Sequence, residues 1–72
     1  MISQEQLDNW FTYHTPKQGD PERYGAIRDA AKSLASVIVH NTPVSADQTA
    51  AIRKLREAVM TANASIACEG TS

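Results

Sequence analysis

Two series of apolar residues advance along the chain in alternating steps of three and four: Tyr24, Ile27, Ala31, Leu34, Ile38, and then Ile52, Leu55, Val59, Ala62, Ile66. That spacing is the seam of one helix packed lengthwise on another. Between the two series stand Asn41, Thr42 and Pro43, and a residue before proline avoids the α region. Two helices of about 20 residues with so short a link pack as an antiparallel hairpin, each about 30 Å long at 1.5 Å per residue. The fold class predicted is therefore all-α in a single domain. A short helix occupies residues 1–11, a loop 12–20, a long helix 21–41, a turn 42–45 and a second long helix 46–68, with a fraying tail at 69–72.

Local signals set these limits. Ser3 and Gln6 have the spacing of a capping box, as do Ser45 and Gln48. Asp20 reads as an N-cap with Pro21 in the first helical position. The stretch HTPKQGDP, with two prolines and a glycine, breaks the chain between the short helix and the hairpin. Arg53 and Glu57 have the spacing of a helical ion pair.

A 72-residue chain rarely gains more than about 3–5 kcal/mol from its own core, so a staple is expected. The one cysteine, Cys68, excludes an internal disulfide. It stands near the end expected to fray, and with His14 and His40 it gives no metal-ligand spacing. Self-association is the staple that remains. Ala26, Ala30, Val37, Ala51, Ala58 and Met60 lie off the seams, and small residues there let another helix come close.

The net charge of −1 speaks against binding to a DNA or RNA polymer, which calls for a basic domain. No apolar run is long enough to cross a membrane, and MISQEQLDNW lacks the regions of a signal peptide. With a lone free thiol, these features suggest a reducing cytosol. Catalysis would need a nucleophile with a base, a carboxylate pair or a metal. Asp8, Asp20, Glu22 and Asp29 read as helix starts or exposed positions and His14 has no partner at a fixed spacing. No enzyme, cofactor or metal site is expected.

The remaining signal is an aromatic and cationic segment, WFTYHTPKQGDPERYGAIRDAAK. Trp10 and Phe11 suit docking of the short helix onto the hairpin, and Tyr24 suits the seam. Tyr13 falls in the proline-bounded loop, where its ring serves packing or a ligand equally well. Stacking of a base on such a ring is worth about 1–3 kcal/mol. Arg28 and Lys32 share a helix face, and a guanidinium can hold a phosphate with two parallel hydrogen bonds. Across a two-fold axis, paired rings and paired cations would match a molecule with two bases and two phosphates.

Phe11, Tyr13 and His14 followed by Pro16, then Arg23-Tyr24, Ala30-Ala31-Lys32, Thr42-Pro43 and LREAVMTANASIA from Leu55 together resemble the phage anti-CBASS protein two family. That family shares its hairpin with a Thoeris anti-defence protein. The resemblance spans about residues 11–67. It implies a sponge in the host cytoplasm that binds cyclic oligonucleotide immune messengers without cleaving them. It further implies a hexamer, a trimer of dimers, with cyclic dinucleotides held between protomers and cyclic trinucleotides at separate sites. Tyr13 and Arg28 match the dinucleotide pocket, with Lys32 as the rival cation and His14 and Gly25 beside them. Gly25 replaces a glutamate common in relatives and costs a helix about 1 kcal/mol against alanine, which suggests close approach near Arg28. Arg53, Lys54 and Arg56 are the candidates for a trinucleotide site. The readings from other classes are a helical protein–protein interaction module and a structural oligomer without a nucleotide ligand.

Overall fold

The computed structural model describes residues 1–69. Three helices follow in order: α1, Gln4–Trp10; α2, Asp20–Asn41; and α3, Ala46–Ala67. There is no strand among the described residues. α2 and α3 pack on each other as the antiparallel hairpin that the seams predict, and α1 lies against one end.

The helix starts show which local signals hold. Ser3 caps α1 in a complete box: its hydroxyl accepts from Gln6 N–H, and the Gln6 side chain accepts from Ser3 N–H at 2.8 Å. At α3 only half of the box forms. Ser45 Oγ accepts from Gln48 N–H, but the Gln48 amide turns to the end of α2. It donates to Thr42 O and Thr42 Oγ1 at 3.2 and 3.1 Å and lies 3.3 Å from Val39 O. His40, Asn41 and Thr42 each bond back to the carbonyl four residues earlier, at 2.7 Å. These side chains and Gln48 draw in carbonyls that a helix end otherwise leaves to solvent.

Asp20 is not the cap expected of it. Gly19 takes the N-cap position at φ 89, a left-handed conformation that costs glycine little. The turn moves Asp20 into the helix, where it is buried. Its carboxylate accepts from Lys17 N–H at 2.9 Å and pairs with Arg23 Nη1 at 3.5 Å.

The seam of α3 is as expected: Ile52, Leu55, Val59 and Ala62 are half-buried and Ile66 is buried. On α2 one position slips. Leu34 is 48% exposed and Ala35 takes the inner place. A seam with a 3.5-residue period drifts about 20° per heptad on a straight α-helix. By the second heptad Leu34 has moved onto the flank.

The hairpin is one helix layer thick, with extents of 44 × 32 × 15 Å. At 3.6 residues per turn, its two broad faces follow from the helices' flanks. Gly25, Arg28, Lys32 and Val39 of α2 share a face with Arg53, Arg56, Met60 and Ala64 of α3. Ala26, Ala30, Leu34 and Val37 share the other with Ala51, Lys54 and Ala58. The grooves agree: Lys32 lines one with Arg56 and Met60, and Arg23 lines another with Ser65. Trp10 meets the first face, over Met60, Thr61 and Ala64. Phe11 does not dock as expected; it closes α1 as its C-cap with the ring 84% exposed.

Candidate functional site

In an antiparallel hairpin, equal distances from the turn place the start of α2 level with the end of α3. The loop between α1 and α2 crosses this open end. The result is a cleft of about 430 Å³, within the size range of small-molecule sites. Tyr13, His14, Lys17, Asp20, Tyr24 and Cys68 are among its lining residues.

The loop is fastened at both ends. His14 Nε2 lies 2.6 Å from Asn9 O, the carbonyl of the last turn of α1. Because a carbonyl only accepts, this contact requires the proton on Nε2. Cys68 Sγ reaches the same oxygen at 3.9 Å. At the other end Lys17 N–H is held by Asp20, and Lys17 Nζ pairs with the Glu69 carboxylate. Between these anchors Tyr13 carries its ring at the cleft, 81% exposed.

Glu69, the first residue of the expected tail, is thus paired with Lys17, and Cys68 before it reaches α1. The thiol is buried, and Glu69 closes α3 at φ 54 with its N–H on Ile66 O. The rest of the expected tail, residues 70–72, lies outside the described residues. Sequence reading missed Asn9, Asp20, Cys68 and Glu69 as lining residues. The signal was available, since counting equal distances from Pro43–Val44 sets Asp20 opposite Ala67.

The candidate cations fall elsewhere. Arg28 does not line the cleft with Tyr13 in the same chain. Its guanidinium folds back over its own helix, with Nη2 3.6 Å from where a Cβ on Gly25 would stand. Lys32 lines the apolar groove between the helices, with Ala31, Ala35, Leu55, Val59 and Met60. Arg56 stands across that groove and also lines the next, with Arg53, Gln48 and Thr49. Lys54 lines neither and belongs to the opposite face. The structure thus groups Arg53 with Arg56 and separates Lys54 from both.

Among the described residues the cationic face makes no ion pair. Ion pairs among the described residues join Lys17 to Glu69 and Arg23 to Asp20. Arg28, Lys32, Arg53 and Arg56 take part in none, and the expected Arg53–Glu57 pair does not form. Among the described residues no cluster of His, Cys, Asp and Glu could hold a metal ion, and no helix is long and apolar enough to cross a membrane.

Residues 3–67 match the family described as Acb2/Tad1, hairpin domain, and the chain belongs to that family. It is the one that the motifs around Tyr13, Tyr24 and Leu55 resemble. No curated protein and no solved structure matches the chain significantly.

Proposed function

We propose, taking membership of this anti-defence hairpin family as the premise, that the protein is a sponge for cyclic oligonucleotide immune messengers. It binds and withholds them from effectors without cleaving them. The observation that carries this reading is Tyr13, an exposed ring on a loop fastened by His14 and Asp20. A ring on an anchored backbone loses less entropy when a base stacks on it than a ring on a free loop. The cations with no acidic partner supply the counter-charge, and the nearest to the cleft along α2 is Arg28.

One chain does not bring these parts together, because Arg28 stands apart from the Tyr13 cleft. A second copy does so if Tyr13 of one protomer meets Arg28 or Lys32 of its partner. A two-fold axis then presents two rings and two cations to the two bases and two phosphates of a cyclic dinucleotide. The surface of the chain supports such an assembly. A compact monomer of 7.8 kDa exposes about 4,400 Å², whereas this chain exposes 5785 Å². Its radius of gyration is 15.2 Å against about 11 Å for a compact domain of this length. In this reading the hexamer is a trimer of dimers in the host cytoplasm. Arg53 and Arg56 are the stronger candidates for a cyclic trinucleotide site, with Lys54 outside it.

The test is a melting curve with and without 3′,3′-cyclic dinucleotides, 2′,3′-cGAMP and cyclic trinucleotides. A ligand at 100 times its Kd adds about 2.7 kcal/mol, a rise of several degrees for a domain of this size. Heat-denaturing the complex and recovering the ligand intact separates sequestration from turnover. No shift with any of these ligands removes the sponge reading and leaves the interaction module in its place.

A further inference from the structure

We infer that Glu69 reads the edge of the base that stacks on Tyr13, and that the messenger this site prefers is a cyclic dinucleotide carrying guanine. The inference rests on the sponge reading and names the base that the sponge reading leaves open.

The first observation is which acceptors the cleft has to offer. Two acidic side chains line it, Asp20 and Glu69. Asp20 is fully engaged: one oxygen accepts from Lys17 N–H at 2.9 Å, the other faces Arg23 at 3.5 Å, and the side chain is 10% exposed. His14 is held through Nε2 on Asn9 O. Glu69 differs from both. Its Oε1 meets Lys17 Nζ, while Oε2 has no partner among the described residues, and the side chain is exposed. An exposed ion pair is weak, so this carboxylate is available to a ligand.

The second is position. The backbone sets where Glu69 stands: its N–H bonds to Ile66 O at 3.2 Å just past the end of α3, at φ 54. Tyr13, Tyr24 and Ile66 line the same cleft, of about 430 Å³. A base stacked on the Tyr13 ring there has aromatic and aliphatic walls beside it and one free carboxylate to meet its edge. Unpaired bases are recognised in this way, by a ring on the face and polar groups on the Watson–Crick edge.

The third is the chemistry of that edge. An ionised carboxylate only accepts, and its two oxygens can take two parallel donors. Guanine presents N1–H and its N2 amino group side by side. Hypoxanthine keeps N1–H and lacks the amino group. Adenine sets a lone pair at N1 beside its one amino group, so one carboxylate oxygen would face an acceptor. An acceptor left facing an acceptor is a means of turning a competitor away. A carboxylate that no donor covers also repels a ligand with two phosphates. Glu69 thus favours guanine both by what it binds and by what it rejects.

The test is isothermal titration of the wild type and Glu69→Gln with the 3′,3′-cyclic forms of di-GMP, di-IMP and di-AMP. Wild type is expected to bind cyclic di-GMP at least about 10-fold tighter than cyclic di-AMP, with cyclic di-IMP between them, since a two-donor contact discriminates by roughly 5-fold to 150-fold per base. Glutamine keeps the length of Glu69 but sets an amide NH₂ against the guanine donors. Glu69→Gln should keep the helical circular dichroism and narrow the gap between cyclic di-GMP and cyclic di-AMP by about 10-fold. A merely structural role would weaken all three ligands alike and leave their ratios unchanged. Equal binding of the three by the wild type overturns the inference and leaves the sponge reading in place. So does a guanine preference that Glu69→Gln retains, or a loss shared equally by all three. If the wild type binds none of them, the inference falls together with the dinucleotide pocket it rests on.

Discussion

Arg28, Lys32, Arg53 and Arg56 look out from one side of a slab 15 Å thick; Ala26, Ala30, Leu34 and Val37 look out from the other. The same two helices carry both sets, and beyond Trp10 over Met60 and Ala64 the described residues leave both sides open. One side lacks counter-charge and the other lacks a packing partner. A hairpin this thin cannot hide both kinds of group, since its fully inward positions are few: among the described residues, Ile66 and Cys68 are the buried hydrophobic ones. On the proposed reading, this division lets one fold use electrostatics on one side and apolar contact on the other. It also makes the two sides separable by mutation.

The largest effect is expected where the charged side meets the loop. Tyr13→Ala removes one stacking ring per chain and so two from a two-fold pocket. At about 1–3 kcal/mol per base, isothermal titration should show cyclic dinucleotide binding weaker by roughly 30-fold to more than 10⁴-fold. Arg28→Ala should also weaken it while leaving the mass in solution unchanged. Normal binding by both variants would put the pocket elsewhere and break the assignment of the charged side to ligand.

Next come two deletions that separate seam from face. Ile66 is buried between α2 and α3 in the single chain, so Ile66→Ala should cost about 2–5 kcal/mol at any protein concentration. Leu34→Ala tests the apolar side. A half-exposed leucine costs little to truncate in a monomer, whereas one covered by a second copy behaves as core. Its effect on the urea midpoint should therefore exceed 1 kcal/mol, in the range of about 2–5 kcal/mol for buried leucine, and depend on protein concentration. A small, concentration-independent effect would show Leu34 to be mere surface.

Much of this layout is legible in the sequence, for identifiable reasons. The α3 seam, both serine caps and the proline stop depend on neighbours within one or two turns, and each stands where the spacing puts it. Leu34 escaped because a heptad reading holds the seam at a fixed angle, while a straight helix lets it drift. Asp20 escaped because Gly19 before it can take a left-handed conformation and move the cap back one residue. The grouping of Arg53 with Arg56, and not with Lys54, follows from 3.6 residues per turn; adjacency in RKLRE conceals it. Cys68 depends on α1 and the loop closing over the end of the hairpin, a contact with Asn9 across 59 positions that no local pattern reports. The proposed meeting of Tyr13 with Arg28 would be less legible still, because it requires a second chain.

A smaller effect is expected at the turn, which belongs to neither side. Ser45→Ala deletes the α3 cap, worth about 1 kcal/mol. Gln48→Ala should cost a similar amount by releasing Thr42 and the end of α2. Both losses should appear in the urea midpoint with an unchanged slope. Neither should alter cyclic dinucleotide affinity, since the turn stands at the opposite end of the hairpin from Tyr13. A change in affinity would mean that the two ends are coupled.

The smallest effect is expected at the ion pair that ties the loop to the end of α3. Lys17 and Glu69 are 63% and 58% exposed, and exposed pairs contribute about 0–1 kcal/mol. Lys17→Ala should therefore leave the melting temperature within a few degrees of wild type. The backbone anchor at Lys17 N–H, held by Asp20, survives the substitution, so Tyr13 should keep its place and ligand affinity should change little. Asp20→Asn weakens the deeper anchor, because a neutral amide oxygen replaces a carboxylate as acceptor from Lys17 N–H. If Lys17→Ala costs more affinity than Asp20→Asn, the ammonium itself touches the ligand. The charged side then extends past α2 and α3 into the loop.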